Sequence, residues 1–236
     1  MIQYRRHREE VLTYSRMLSA DGYFGPASGT GGNVSMRVEA EGGDLIVITP
    51  SGKVYAELSA ADICVARFDG SIIEGNPAPS IETGMHLAVY RNRPDVNAVI
   101  HTHQPYASIF ALINQPIPPL FDEVTAKIGP VVEIIPHALS GSVELAENVA
   151  SRLKNGCNCY IIQNHGALAV GLTLQAAYKH SGLLEKTAQA YYQALSTGKE
   201  VTVLPDYIVC LLTEQLKSEQ QNEIARKMQL SISGKL

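Results

Sequence analysis

The amino-terminal half of the chain alternates short apolar runs with turn-forming residues, and this pattern leaves few folds open. The runs lie at residues 33–38, 44–49, 63–68 and 71–73. Glu41-Gly42-Gly43 separates the first two runs, and Asp69-Gly70 separates the last two. Asp and Gly tolerate positive φ and are typical of the turns that join antiparallel strands. We therefore predict hairpins of an antiparallel sheet in this half.

Helical spacing of apolar residues alternates with further strand-like runs over the rest of the chain. Helices are predicted at residues 4–18, 80–92, 106–112, 143–153, 174–195 and 207–228. Strands are predicted at residues 96–103, 131–136, 159–163 and 167–170. Ser80 is the expected N-cap of the second helix. With no repeat or linker-like segment, we predict one α/β domain over residues 1–236, an α/β/α sandwich with a mainly antiparallel central sheet flanked by helices.

Charge and composition exclude several classes of protein. The 236 residues carry 19 Lys and Arg against 23 Asp and Glu, a formal net charge of −4, with 45% hydrophobic residues. This globular composition argues against nucleic-acid binding driven by bulk positive charge. No apolar run approaches the roughly 18 residues of a membrane span, and the charged first residues are unlike a secretory signal. The 4 cysteines do not make a disulfide scaffold, so we expect a reducing, cytoplasmic compartment. Together, these features predict a protein that binds neither nucleic acid nor membrane.

Two histidines near the end of a predicted strand indicate a metal site. His101 and His103 are two residues apart, so on a strand their side chains share a face and can reach one ion. His165 follows another apolar strand, and Glu82 lies one short helix before His101. Three nitrogens and one carboxylate suit Zn²⁺, with Mn²⁺, Co²⁺ or Fe²⁺ as alternatives. For any one of these histidines alone, a core position with a backbone carbonyl as partner is the commoner explanation.

The remaining histidines have weaker signals. His86 lies one helical turn after Glu82, on the same face of the predicted helix. It either orients Glu82 or is a packing histidine. We expect His7, His137 and His180 to be structural.

Two glycine-containing loops are candidate anion sites. Residues 29–33 read GTGGN, and residues 49–53 read TPSGK. The first loop departs from the dinucleotide fingerprint G-x-G-x-x-G, because Val34 stands at the third glycine position and a helix precedes the loop. We therefore exclude a Rossmann site. Backbone amides in such turns can still bind a phosphate or a carboxylate; the alternative is that both loops are only tight connections.

Four segments together resemble one protein family. They are GTGGNVSMR (residues 29–37), ITPSGK (48–53), PSIETGMHLAVYRNRPDVNAVIHTHQPYAS (79–108) and QNHG (163–166). In this order and spacing they are similar to the class II aldolase/adducin family, over about residues 5–215. The family includes fuculose-1-phosphate and rhamnulose-1-phosphate aldolases, ribulose-5-phosphate 4-epimerase, methylthioribulose-1-phosphate dehydratase and the non-catalytic adducins.

The resemblance implies a role for each matching residue. His101, His103 and His165 match the metal-binding histidines. Glu82 matches the glutamate that binds the metal in the free enzyme and acts as acid and base once substrate is bound. The positions that match the loops holding the substrate phosphate are Thr30, Gly32, Asn33, Ser51, Gly52 and Ser80. The family forms C4 homotetramers with active sites at subunit interfaces, so the same assembly is expected.

The chain departs from the family pattern near the proton donor. Fuculose-phosphate aldolases carry a tyrosine shortly after an Ile-Pro segment, where this chain has Asp122 and Glu123. Asp122, near the tyrosine's place, or Glu123 is the candidate catalytic replacement, reaching into a neighbouring subunit's site. The alternatives are a reaction that needs no such donor, or a solvated acidic turn. Ile81 also stands where phosphate-binding members carry a hydroxyl side chain.

The resemblance thus implies a metal-dependent carbon–carbon lyase. Its substrate would be a ketose phosphate, cleaved to dihydroxyacetone phosphate and an aldehyde through a metal-stabilised enediolate. The metal histidines favour an enzyme over the adducin branch, which lacks them. A decarboxylase of a β-keto or aromatic acid and a sugar-phosphate epimerase stay open on the same fold, as does a non-catalytic adducin-like module.

Overall fold

The computed structural model describes residues 4–25, 31–75 and 78–232, which form a central sheet with helices on both faces. The strands are β1 (Asn33–Val38), β2 (Leu45–Ile48), β3 (Cys64–Arg67), β4 (Ile72–Glu74), β5 (Ala98–Thr102), β6 (Glu133–Ile135), β7 (Cys159–Ile162) and β8 (Gly166–Gly171). The helices are α1 (Arg5–Ala20), α2 (Thr83–Asn92), α3 (Pro105–Ile113), α4 (Asp122–Ile128), α5 (Val143–Arg152), α6 (Leu174–Ser196) and α7 (Asp206–Ile232).

The sheet is almost entirely antiparallel. Its strand order is β4-β3-β2-β1-β5-β8-β7-β6, and β6 with β7 is the one parallel pair among these strands of the described ranges. The hairpins predicted from the two glycine turns are present as β1 with β2 and β3 with β4. The predicted α/β fold with a mainly antiparallel sheet flanked by helices is therefore confirmed.

Alternation of side chains along the strands divides the core between the two faces of the sheet. On one face, Val99 and Tyr160 pack with residues of α2 and α5. On the other face, Ala98 and Ile100 pack with α1 and the start of α6, while Ile161 packs with α3, α4 and α6. Both faces are buried, which explains why β2, β7 and β8 are apolar along their whole length.

Helix α2 begins later than predicted, and Glu82 rather than Ser80 is its N-cap. Ser80 instead closes a turn before the helix. Its Oγ accepts the Glu82 N–H at 3.2 Å, and its carbonyl accepts the Thr83 N–H at 3.0 Å. The prediction that Ser80 caps the helix is thus wrong. The turn leaves Glu82 at the amino end of α2, where the partial positive charge of the helix favours a carboxylate.

Helix α4 lies where the apolar spacing predicted no helix, and Asp122 and Glu123 are exposed at its start. Both residues occupy its first turn and Lys127 its last, the arrangement that the helix dipole favours. Val124 and Ile128 are buried. Seven residues are too few to show a helical period in the sequence.

The last helix, α7, is held to the sheet by polar contacts near its end. Asn97 donates to the Glu223 carboxylate at 2.7 Å, and Arg226 pairs with Glu39 at 2.6 Å. Leu216 is buried in the middle of the helix. Within the described ranges, no helix is long and apolar enough to cross a membrane.

A buried ion pair holds the turn between α2 and β5. Arg93 donates to both carboxylate oxygens of Asp95, at 2.8 and 2.7 Å, and to the Cys157 carbonyl at 2.8 Å. The two side chains are only 7% and 4% exposed. The bidentate geometry and the added hydrogen bond compensate for the hydration that both charges lose. The pair therefore ties the start of β5 to the start of β7.

Replacing Arg93 by Met is expected to lower the free energy of unfolding by about 3–5 kcal/mol, because the Asp95 carboxylate stays buried without its partner. Urea denaturation measures the change. Arg5→Met, which removes an exposed pair with Glu9, is the control and should leave the midpoint unchanged. Wild-type stability of the Arg93→Met protein would contradict this account of the turn.

Candidate metal centre

Three histidines from different parts of the sequence meet at one end of the sheet. His101 lies on β5, His103 follows that strand, and His165 lies in the turn between β7 and β8. One nitrogen of each ring lies within 4.8 Å of one nitrogen of the others. The ring centroids are 4.9 Å apart for His101 and His103, and 4.7 Å apart for His101 and His165.

Hydrogen bonding and burial determine the tautomer and the protonation state of these imidazole rings. His101 Nδ1 donates to the Ala167 carbonyl at 2.9 Å, so its Nε2 carries the lone pair and lies 3.0 Å from His103 Nε2. Burial lowers the pKa of His101 well below its usual value, and the neighbouring imidazoles add to this effect. Burial also lowers the pKa values of His103 and His165. All three rings are therefore neutral at neutral pH and offer lone pairs.

Glu82 brings a carboxylate to the same cluster. Its Oε2 lies 3.4 Å from His101 Nε2, and its Oε1 lies 3.3 Å from His165 Nε2. The residue is only 5% exposed. Within the described parts of the chain, Oε1 is buried and accepts no hydrogen bond.

This donor set fits a divalent cation. Three neutral imidazoles and a carboxylate converge, and the Nε2 atoms of His101 and His103 lie 3.0 Å apart. The orphaned Glu82 Oε1 is also aimed into the group. Such an arrangement is costly unless something positive satisfies the facing acceptors. Imidazole with carboxylate is the ligand chemistry of Zn²⁺ and related borderline ions.

Glycines allow the backbone to approach the histidines closely. A Cβ atom on Gly166 would lie 2.4 Å from the Thr102 carbonyl oxygen and 2.7 Å from His103 Cδ2. Gly32 has a φ of +68°, and its Cβ would lie 2.5 Å from the His101 carbonyl oxygen. Any side chain at either position would displace the backbone of β5 or the His103 ring.

Three loops meet at the amino end of α2. The Ser51 N–H donates to the Ala78 carbonyl at 2.9 Å, and the Ser80 N–H donates to the Thr49 carbonyl at 3.1 Å. The Val34 N–H donates to Thr49 Oγ1 at 3.2 Å, which joins the start of β1 to these loops. The predicted phosphate-binding positions brought together in this way are Gly32, Asn33, Ser51, Gly52 and Ser80. Thr30, the sixth, lies outside the described residues.

A line of buried hydrogen bonds leads from Glu82 into the interface between α2 and β1. Asn33 Nδ2 donates to Glu82 Oε2 at 2.7 Å, and Asn33 Oδ1 lies 2.5 Å from His86 Nε2. His86 Nδ1 lies 2.7 Å from Ser35 Oγ, which in turn lies 2.7 Å from the Tyr90 hydroxyl. His86 is thus connected to Glu82 through Asn33.

Two residues of this hydrogen-bonded line, Ser35 and Tyr90, were not predicted from the sequence as part of the site. Ser35 is two residues after Asn33 on a strand, and Tyr90 is four residues after His86 on a helix. Those spacings place each residue on the same face as its predecessor. Polar groups repeated on a buried face were the signal that could have revealed them.

Asp122 lies apart from this cluster within one chain. It is exposed in the first turn of α4, a helix that packs against α6 and α7. In the described parts of the chain, no hydrogen bond or ion pair joins it to Glu82 or to the three histidines. A role for Asp122 in the site would therefore need a second subunit.

Comparisons with known proteins point to one family. A sequence model described as the Class II Aldolase and Adducin N-terminal domain matches residues 9–192. The chain is 34% identical over 202 residues to the 5-deoxy-D-ribulose 1-phosphate aldolase of Bacillus thuringiensis serovar kurstaki, covering 86% of this chain and 91% of the other. It is 34% identical over 190 residues to the L-fuculose phosphate aldolase of Escherichia coli (strain K12), covering 80% and 86%. A solved L-fuculose 1-phosphate aldolase superposes with a TM-score of 0.82 at 33% identity, covering 90% and 96%.

Gly166→Ala is expected to weaken Zn²⁺ binding by about 10- to 100-fold, because the new methyl group must push His103 and the Thr102 carbonyl away. Competition with a chromogenic chelator measures the affinity. Gly182→Ala is the matched control, since its methyl group meets open space on α6, and it should bind Zn²⁺ like the wild type. Unchanged affinity in the Gly166→Ala protein would contradict the assigned site.

Proposed function

The chain belongs to the class II aldolase and adducin N-terminal domain family, and on that premise we propose that it is a metal-dependent aldolase, a carbon–carbon lyase. Its proposed substrate is a ketose 1-phosphate, cleaved to dihydroxyacetone phosphate and an aldehyde. The observation that carries the proposal is the convergence of Glu82 with His101, His103 and His165 at one end of the sheet. Relatives that match most of the chain are named as aldolases of such sugar phosphates.

The proposed cofactor is one divalent cation per subunit, Zn²⁺ first, with Mn²⁺, Co²⁺ or Fe²⁺ as alternatives. His101, His103, His165 and Glu82 would hold it. When bound, the cation would polarise the substrate carbonyl and stabilise the negative charge that develops there as the carbon–carbon bond breaks. Imidazoles that are already neutral favour this binding, because they need not lose a proton first.

Cleavage requires two proton movements, and the chain offers two carboxylates for them. A base takes the proton of the C4 hydroxyl, the C3–C4 bond breaks to release the aldehyde, and a proton is returned to C3 of dihydroxyacetone phosphate. Glu82 is proposed to carry one of these protons, a role supported by its buried and orphaned Oε1. The neighbouring subunit's Asp122 is proposed for the other, supported by its exposure on α4.

The proposed phosphate site is formed by the three joined loops. Gly52 is exposed with a φ of +62°, and it follows Ser51 in a turn that presents polar groups beside the start of α2. The amino end of a helix attracts anions. Gly32, Asn33, Ser80 and Thr30 belong to the same proposal. Ile81, which offers no hydroxyl, is 65% exposed beside them.

A C4 homotetramer is proposed because apolar side chains beside the cluster are exposed in a single chain. Leu139 and Val143 are 76% and 74% exposed. Ser140, between them, has its Oγ 3.4 Å from His165 Nε2. A neighbouring subunit on this surface would remove the apolar groups from water and close the site.

Two broader features complete the proposal. Residues 1–236 are proposed to form one domain, supported by the anchoring of α7 to Asn97 and Glu39. A cytoplasmic location is proposed because the buried Cys157 and Cys159 carry thiols rather than a disulfide, as a reducing compartment favours.

Purified protein loaded with Zn²⁺, Mn²⁺ or Co²⁺ is expected to release dihydroxyacetone phosphate from L-fuculose 1-phosphate or 5-deoxyribulose 1-phosphate. Coupled reduction of the product with NADH measures the rate. Absence of product with every metal and with a wider panel of ketose 1-phosphates would contradict the aldolase. Release of carbon dioxide from a β-keto or aromatic acid would support a decarboxylase instead.

His103→Ala is expected to abolish stable metal uptake and cleavage while the protein stays folded, because one of the three nitrogen ligands is removed. Metal analysis after dialysis and circular dichroism measure the two effects. His137→Ala is the control, since His137 is exposed outside the cluster, and it should keep its metal. If His103→Ala retained a full equivalent, the ligand set would be wrong.

A further inference from the structure

His86 is a fully buried polar residue that has no role in the proposed reaction. It lies on α2, four residues after Glu82, and both of its ring nitrogens are engaged. Burial lowers its pKa to about 3, and the nearby His101 adds to this effect, while Glu82 opposes it. The ring is therefore neutral, with one nitrogen that donates and one that accepts.

Each hydrogen bond in the line through His86 has only one possible donor and one possible acceptor. The Glu82 carboxylate accepts, so the Asn33 amide nitrogen must face it and the Asn33 oxygen must face His86. His86 Nε2 consequently carries the proton and donates to that oxygen. His86 Nδ1 must then accept from the Ser35 hydroxyl, which accepts from the Tyr90 hydroxyl. Donation runs from Tyr90 to Glu82 without a break, and each bond polarises the next.

The Glu82 carboxylate and the His86 N–H together fix which way the Asn33 amide points. An amide can turn over and exchange its oxygen and nitrogen with little change of shape. Turned over, Asn33 would place its oxygen against Glu82 Oε2 and its NH₂ group against the His86 N–H, and both contacts would be repulsive. The His86 N–H thus acts together with the Glu82 carboxylate to keep the NH₂ group of Asn33 on that carboxylate.

We propose that His86 is a positioning residue that acts through Asn33 to hold Glu82 facing the three histidines. The engaged Oε2 restrains the carboxylate, and Oε1 remains directed at His165. Ser35 and Tyr90 hold the His86 ring from behind. The inference rests on the proposed metal site but not on the reaction or its substrate.

Two variants of similar size and polarity test this role. His86→Gln places an amide NH₂ group near the position of Nε2 and keeps the donor to Asn33, whereas His86→Asn keeps only an acceptor near the position of Nδ1. We expect His86→Asn to weaken Zn²⁺ binding by about 10- to 100-fold and to lower kcat more than it changes KM, while His86→Gln recovers most of the loss. Chelator competition gives the affinity without substrate, and circular dichroism confirms the fold.

A double-variant cycle tests whether the effect passes through Asn33. In an Asn33→Ala background, His86→Asn and His86→Gln should bind Zn²⁺ alike, because the group that His86 orients is gone. Equal losses in both His86 variants in the wild-type background would overturn the inference and leave the aldolase proposal intact. A clear difference between the variants in a protein without aldolase activity would uphold the inference and remove only the reaction. A wild-type protein that takes up no divalent metal would overturn both.

Discussion

The register in which β5 pairs with β1 and β8 is the constraint on which the candidate site depends. It sets Asn33 opposite His101 and His101 opposite Leu168. Because strand side chains alternate, this register directs Asn33, Ser35 and His101 to the face that α2 covers, with Glu82 at the start of that helix. A slip of one residue would turn His101 toward α1 and separate it from Glu82.

Because two histidines of the site are buried, their properties depend on the hydrogen-bond partners that the protein supplies. His101 and His86 are fully buried, but their partners differ. His86 has an Asn and a Ser, and its hydrogen bonds are complete within the protein. The lone pair of His101 Nε2 instead lies 3.4 Å from Glu82 Oε2, beside His103 Nε2 at 3.0 Å. The lone pair of His101 and the Glu82 carboxylate thus face each other, and a cation would satisfy both.

Much of the fold can be predicted from local sequence patterns, whereas the site also depends on strand pairing and tertiary contacts. Gly42-Gly43 and Asp69-Gly70 predict the hairpins because turn chemistry is local, and the spacing of His101 and His103 predicts a shared face. The proximity of His165 depends on the pairing of β5 with β8, so spacing alone could not establish it. Helix α4 is too short to show a period. Ser80 does not cap α2, because the hydrogen bond from its N–H to the Thr49 carbonyl holds it in the preceding loop. The sequence does not decide the role of His86, because its partner Asn33 is 53 residues away.

The decisive experiment titrates metal-free protein with Zn²⁺ or Mn²⁺ while measuring release of dihydroxyacetone phosphate from a ketose 1-phosphate. At protein concentrations well above the dissociation constant of the metal, activity should rise from zero in a straight line and level off at one equivalent per chain. Full activity in the metal-free protein, or a plateau unrelated to one equivalent, would contradict the claim that Glu82 and the three histidines hold one cation that the cleavage requires.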